Sequence, residues 1–137
     1  MKGDVLIASN AAEGPALVLD KPISFWGGVD PFSGTVSDPR HPQHGHNVGG
    51  TVLFLPGTIG SSSASAVLLE LARGGNAPAA IVMPEPDAIL LLGLVVAKEM
   101  GWAVPIAVRL DPALHGAFDG HRVAIDSDGS LEILSTP

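Results

Sequence analysis

Four serines stand close together in Gly57-Thr58-Ile59-Gly60-Ser61-Ser62-Ser63-Ala64-Ser65. The run follows the apolar Val52-Leu53-Phe54-Leu55-Pro56. It precedes Ala64, Val67, Leu68 and Leu71, which are spaced i, i+3, i+4, i+7. The order is therefore strand, glycine-rich turn, serine cluster, helix start. Backbone N–H groups in the first helical turn lack intrahelical acceptors, and the helix dipole adds positive potential there. Hydroxyls at that place can hold an anion or have their own developing charge stabilised. The run is not a P-loop, because the glycine-lysine pair is missing and no Lys lies between Lys21 and Lys98. A second reading stays open: one serine caps the helix and the others are small loop residues.

His41, His44 and His46 are the other residues with chemistry to offer. Imidazole suits Zn, Fe or Cu. Yet no regular element holds these three in register, and there is no Cys to complete a set. Loop or interface histidines are the simpler reading, and no metal site is expected in this chain. They fall in a segment, Gly27 to Gly50, that is dense in turn formers: Gly27-Gly28, Asp30-Pro31, Gly34, Asp38-Pro39, Pro42, Gly45 and Gly49-Gly50. Segments this long without a helix of their own are usually functional or disordered. Phe25, Trp26, Val29 and Phe32 at its start argue for order. The expectation is an ordered loop forming one wall of a site.

The elements that must position these residues follow from pattern. Residues 4–8 read as a short strand, Ser9 to Gly14 as a loop, Ala16 to Leu19 as a strand, and Ile23 to Trp26 as another short strand. A helix is expected from about Ser62 to Arg73, ended by Gly74-Gly75. Ala79 to Met83 reads as a buried strand. Asp87 is placed to cap a helix from Ala88 to Met100, closed by Gly101. Val104 to Val108 is the next strand, with Pro105 suited to an edge, a start or a bulge. Residues 51–108 thus read β-α-β-α-β, which implies right-handed crossovers and parallel pairing. Arg122 to Ile125 and Leu131 to Leu134 flank Asp126-Ser127-Asp128-Gly129 as a hairpin. The fold class expected is α/β, a mixed or barrel-like sheet with two helices packed on it, in a single domain over residues 1–137.

The totals narrow the function. With net charge −7 and scattered basic residues, the 137-residue chain lacks the basic patch that a nucleic-acid or polybasic membrane surface needs. No Cys excludes disulfides and cysteine-ligated clusters within the chain. The run Ala88 to Ala97 is too short for a membrane span and reads as a helix buried on most sides. So apolar a chain suggests surface covered by a partner. Met1-Lys2-Gly3-Asp4-Val5 has an early acid and no long apolar core, so a cytoplasmic protein without a signal peptide is expected.

Taken together, Ile23-Ser24-Phe25-Trp26-Gly27-Gly28-Val29-Asp30-Pro31, then Gly34, Asp38, His41 and His44-Gly45-His46, then Gly57 to Ser65, then Ala77 to Ile81, resemble the aconitase X swivel domain. The resemblance runs from about Gly14 to Val108. It implies the swivelling β/β/α fold of the aconitase superfamily. It implies a hydro-lyase that removes water from a hydroxy acid, with this chain as small subunit. The large subunit would carry the iron–sulfur or other metal centre. Family substrates are cis-3-hydroxy-L-proline in bacterial enzymes and (R)-5-phosphomevalonate in archaeal ones.

In the superfamily a serine of a glycine-serine-serine turn acts as base. The matching positions are Ser61 and Ser62, with Ser61 ahead. Gly60, Ser63, Gly27 and Gly28 are the implied substrate-binding positions. Aconitase follows its serine pair with a carboxylate-binding Arg. Ser63 stands there in this chain, so the cationic contact is expected from the large subunit. Some archaeal relatives carry a basic residue where this chain has Ile59, which leans the expectation towards the hydroxyproline substrate. Two other classes remain: an anion-binding module without catalysis, and a structural partner subunit in which the serines only cap a helix.

Overall fold

The structure is a computed structural model and describes residues 1–57 and 63–135. Seven strands form one sheet in the order β1-β5-β4-β3-β2-β6-β7. They are β1 (Asp4–Ile7), β2 (Ala12–Val18), β3 (Val52–Phe54), β4 (Ala80–Met83), β5 (Ile106–Arg109), β6 (Arg122–Ile125) and β7 (Leu131–Ser135). The central strands β2, β3, β4 and β5 pair in parallel, and β1, β6 and β7 are antiparallel to their neighbours. The helices α2 (Ala64–Arg73) and α3 (Ala88–Glu99) are the crossovers between β3, β4 and β5.

Two cores follow from the pleat. Leu53, Leu55, Ile81, Met83 and Ala107 pack with α2, α3 and the long loop. Their neighbours Val52, Phe54, Ala80, Val82, Ile106 and Val108 face the opposite way, towards Val123, Ile125, Leu131 and Phe118. Strands buried on both faces explain the continuous apolar runs, as expected for parallel strands. Strand β2 closes the second core. Its first half, Ala12 to Pro15, pairs with β6, and its second half, Ala16 to Val18, pairs with β3. The sheet therefore curls into a half-barrel. A Cβ at Gly14 would fall onto the Gly50 carbonyl oxygen, so the curl requires glycine there.

Helix ends obey local chemistry. Ser63 enters α2 with helical angles, and its carbonyl accepts from Ala66 N at 3.1 Å and Val67 N at 3.3 Å. The α2 C-terminus is a Schellman closure: Asn76 N donates to Leu71 O at 2.9 Å, and Gly75 takes φ 76°. Asp87 Oδ1 accepts from Ile89 N at 3.0 Å and Leu90 N at 3.2 Å at the start of α3. Asp87→Ala should lower stability by about 1 kcal/mol, read as a lower urea midpoint at unchanged m-value. The C-terminal hairpin forms around Gly129 (φ 91°), with Asp126 N donating to Ser130 O at 2.9 Å.

Three expectations need correction. Ile23 to Trp26 is not a strand. Ile23 and Phe25 are buried, but Gly27 takes φ 81° and the chain turns through α1 (Phe25–Gly28), a single turn kinked at Trp26 and Gly27. Residues 12–14, read as loop, already belong to β2. Helix α3 is buried on one face only, through Leu90, Gly93, Leu94 and Ala97. It packs on α2 and the sheet, and no third helix covers its outer side among the described residues. Pro105 lies just before β5 and so removes no ladder bond.

The long loop is ordered by its own backbone. Asp30 N donates to Thr35 O, Gly34 N to Asp30 O and Val36 N to His46 O, each at 2.8 Å. Val29, Val36 and Val48 anchor it to the first core. The 3-10 helix Pro112–Phe118 covers the second core and was not anticipated from pattern. In it, His115 Nε2 lies 3.0 Å from Leu110 O, and the ring meets Phe54 edge-on at 5.4 Å. Burial lowers its pKa from the ordinary 6.5. The unfolded chain thus takes up a proton that the folded chain resists. The stability this neutral imidazole contributes is full above pH 6.5 and falls as pH drops through the lower folded value. Melting temperature should decline as pH falls below about 6.5, and His115→Gln should flatten that decline. An equally steep decline in the variant would exclude His115 as its source.

Candidate active site

All four parallel strands end at the same edge of the sheet. Ligands of open α/β sheets bind outside the carboxyl ends of the strands, where loops diverge to either side. A cavity of about 790 Å³ lies at that edge. Its walls are Leu55 to Gly57 after β3, Met83 to Ile89 from the end of β4 into the first turn of α3, and Arg109 at the end of β5 with Asp111 and Pro112 after it. The chain leaves this cavity at Gly57 and re-enters the described structure at Ser63, the first residue of the α2 entry. Gly60, Ser61 and Ser62 lie outside the described residues. The two ends of their segment are held: Gly57 beside the mouth, and Ser63 at the N-terminus of α2.

Gly57 lies against Pro22, in the residues that lead from β2 to the long loop. A Cβ there would meet Pro22 Cγ at 3.7 Å and Cβ at 3.9 Å. Five and six residues after Pro22, Gly27 and Gly28 end α1, which packs against α2. Gly27 is exposed with φ 81°, while Gly28 is buried beneath Ile23. Their carbonyls are engaged within the loop, Gly28 O by Ser37 N at 2.9 Å and Gly27 O by Ser37 Oγ at 3.3 Å. The glycine pair is thus brought beside the helix that Ser63 begins. Both glycines serve the backbone turn.

Helix α3 sets the other side of the entry. A Cβ at Gly93 would stand 2.7 Å from Ser65 O, 3.2 Å from Ser65 Cα and 3.3 Å from Ser65 C. The two helices therefore cross in backbone contact at the first turn of α2. This fixes where that turn lies above β3.

The histidines separate. His41 is buried. Its Nδ1 accepts from Gln43 N at 3.1 Å, so its Nε2 carries the proton and donates to Lys21 O at 2.9 Å. It pins the loop to the residues after β2. His44 and His46 are exposed. Among the described residues no three His, Asp or Glu side chains are grouped to hold a metal ion.

Sequence reasoning missed the acidic and basic groups of the cavity. Asp111 Oδ1 accepts from Ala113 N at 2.9 Å, capping the 3-10 helix as Asp87 caps α3. Glu85 is exposed at the rim. Arg109 is a cation on the cavity wall, loosely paired with the exposed Asp4 at 3.5 Å. An exposed pair of that length contributes little to stability. The signal was available: Arg109 and Asp111 fall where a buried strand ends, and the carboxyl ends of parallel strands are where ligand groups gather.

The sequence matches the family model described as "Aconitase X swivel domain" over residues 1–133. Cis-3-hydroxy-L-proline dehydratase of Pseudomonas aeruginosa is 45% identical over 131 residues, which cover 93% of this chain and 22% of that protein. The chain thus spans about a fifth of that relative. The phosphomevalonate dehydratase small subunit of Methanothrix thermoacetophila is 35% identical, with 93% of this chain and 90% of that one covered. The crystal structure of Thermococcus kodakaraensis aconitase X, holo-form, superposes with a TM-score of 0.84 at 32% identity, covering 98% of this chain and 97% of that one.

Proposed function

We propose a function from one premise: the chain belongs to the aconitase X swivel-domain family. On this reading it is the small subunit of a hydro-lyase that dehydrates a hydroxy acid, and the acid is cis-3-hydroxy-L-proline. The observation that carries the reading is the match over residues 1–133. The substrate choice rests on the 45% identity to a relative named for that reaction, against 35% for a small subunit named for phosphomevalonate. Phosphomevalonate is the second reading. It is favoured by length, because 90% of that small subunit is covered by this chain.

Dehydration takes a proton from the carbon beside a carboxylate and releases the hydroxyl. On this reading Ser61 is the base, with Ser62 the alternative. A serine alkoxide is too unstable in water to serve. It needs preorganised donors in a site closed to water. The N-terminus of α2, entered at Ser63, offers backbone N–H groups and the positive end of the dipole. Gly60 and Ser63 flank the base as donors, and Gly27 and Gly28 form the loop wall beside α2.

Among the described residues no His, Asp and Glu side chains are grouped as a metal seat. There is no Cys, and both ring nitrogens of His41 have backbone partners. The metal centre belongs to the large subunit in this reading. The scattered basic residues offer no patch for nucleic acid or an anionic membrane, and on this reading the pair is a cytoplasmic metabolic enzyme.

The test is co-expression with an aconitase X large subunit and assay of water loss from cis-3-hydroxy-L-proline and from (R)-5-phosphomevalonate. Turnover of hydroxyproline alone is expected. Turnover of phosphomevalonate alone would select the second reading. A pair that forms and turns over neither would leave the chain as an anion-binding or structural subunit.

A further inference from the structure

We infer that the outer face of α3 is the seat of the large subunit, an inference that rests on the two-subunit reading above. A surface helix ordinarily turns polar residues outward. Helix α3 does not. Its inner residues Leu90, Gly93, Leu94 and Ala97 are buried, while Leu92 is 58% exposed, Val95 44%, Val96 39% and Met100 60%. These four follow helical spacing and form one continuous stripe. Charge appears only at the last turn, with Lys98 and Glu99. Continuous exposed apolar patches mark interaction sites.

The other large exposed apolar side chains are spread over other elements, with Met1 and Val5 at the N-terminal end and Leu114 in the 3-10 helix. Trp26 and Phe32 sit on separate turns of the long loop. Ile133 and Leu134 are adjacent on β7 and so point to opposite sides of the sheet.

The occupant follows from two further observations. In the Pseudomonas relative the matching segment is 22% of one longer chain, so in that protein other polypeptide is tethered beside this domain. Second, Ala88 and Ile89 at the start of α3 line the cavity. The stripe begins at Leu92, one turn beyond them, so a partner seated on it and extending towards the helix start reaches the cavity mouth. A second copy of this chain suits the stripe less well, since each copy carries net charge −7. A stable interface needs about 800 Å² on each side, so the stripe is its apolar centre and polar residues form the rim.

The experiment uses the full chain co-expressed with a tagged aconitase X large subunit. The double variant Leu92→Glu, Val96→Lys keeps the net charge and sets a favourable i, i+4 pair on the helix. Ile133→Thr on β7 is the control. Wild type and Ile133→Thr should co-purify with the large subunit. The double variant should keep its circular dichroism and melting temperature, yet bind about 100-fold more weakly or not at all. Excess double variant should restore the wild-type kcat. Equal binding by the double variant overturns the seat but leaves the dehydratase reading standing if the pair is active. Loss of binding in Ile133→Thr alone also overturns it. A homodimer abolished by the double variant, with subunit binding intact, makes a second copy the occupant. If wild type binds no large subunit, the inference and the two-subunit reading both fail.

Discussion

Ser61→Ala in the assembled dehydratase should lower kcat by about 10³-fold, within the range for losing a positioned general base, with KM nearly unchanged. The methyl group removes the only atom at that position able to take the substrate proton, and it leaves the backbone donors of the α2 entry in place. On the proposed reading binding should survive, with the carboxylate and the leaving hydroxyl held by other groups. Exchange of the substrate's α-proton with deuterated solvent should be lost with turnover. Ser62→Ala should cost much less, about 10-fold, through lost positioning. The opposite order would move the base to Ser62. Near-normal turnover in both variants would end the serine-base assignment, while subunit assembly would still be expected.

Gly93→Ala should produce the second large effect, and it acts from outside the site. The added methyl would stand 2.7 Å from Ser65 O, against backbone that cannot rotate away. The helices must part at the first turn of α2. Alanine gains about 0.5–1 kcal/mol of helix preference over glycine, but overpacking costs typically 1–3 kcal/mol. A net loss of about 1–2 kcal/mol is expected, roughly 4–8 °C in melting temperature at this chain length. The same displacement moves Ser63, which starts the helix. A shift of about 1 Å at a catalytic group can cost 10²-fold in rate, so kcat should fall by about 10- to 100-fold while the variant still assembles. Gly93→Val should be worse on both counts. A Gly93→Ala protein with wild-type melting and kcat would show that the crossing does not set the α2 entry.

The amino-acid sequence by itself determined the parts whose causes are local. The periodicity of Ala64, Val67, Leu68 and Leu71 specifies α2, and Asp87 with Gly101 bounds α3, because caps and i, i+4 faces involve residues within one or two turns. The runs at β3, β4 and Ile106 to Val108 of β5 are apolar because both faces are buried, and that implies parallel pairing. The serine run is visible as a motif, and the order of motifs along the chain identified the family. The tertiary structure decided what depends on distant partners. Strand β2 divides its pairing between β3 and β6, and that division curls the sheet. Apolar Ile23 and Phe25 can pack in a strand or in a turn, and the positive φ of Gly27 selects the turn. The outer face of α3 reads as core in sequence, because apolar residues all round imply burial; packing on one side only leaves it exposed. Arg109 and Asp111 look like ordinary strand-end residues until the parallel register aligns the carboxyl ends of β3, β4 and β5 and makes them one wall of the cavity. Local chemistry sets each element. Which residues meet across the sheet is set by register and helix crossing, and no window of sequence contains those.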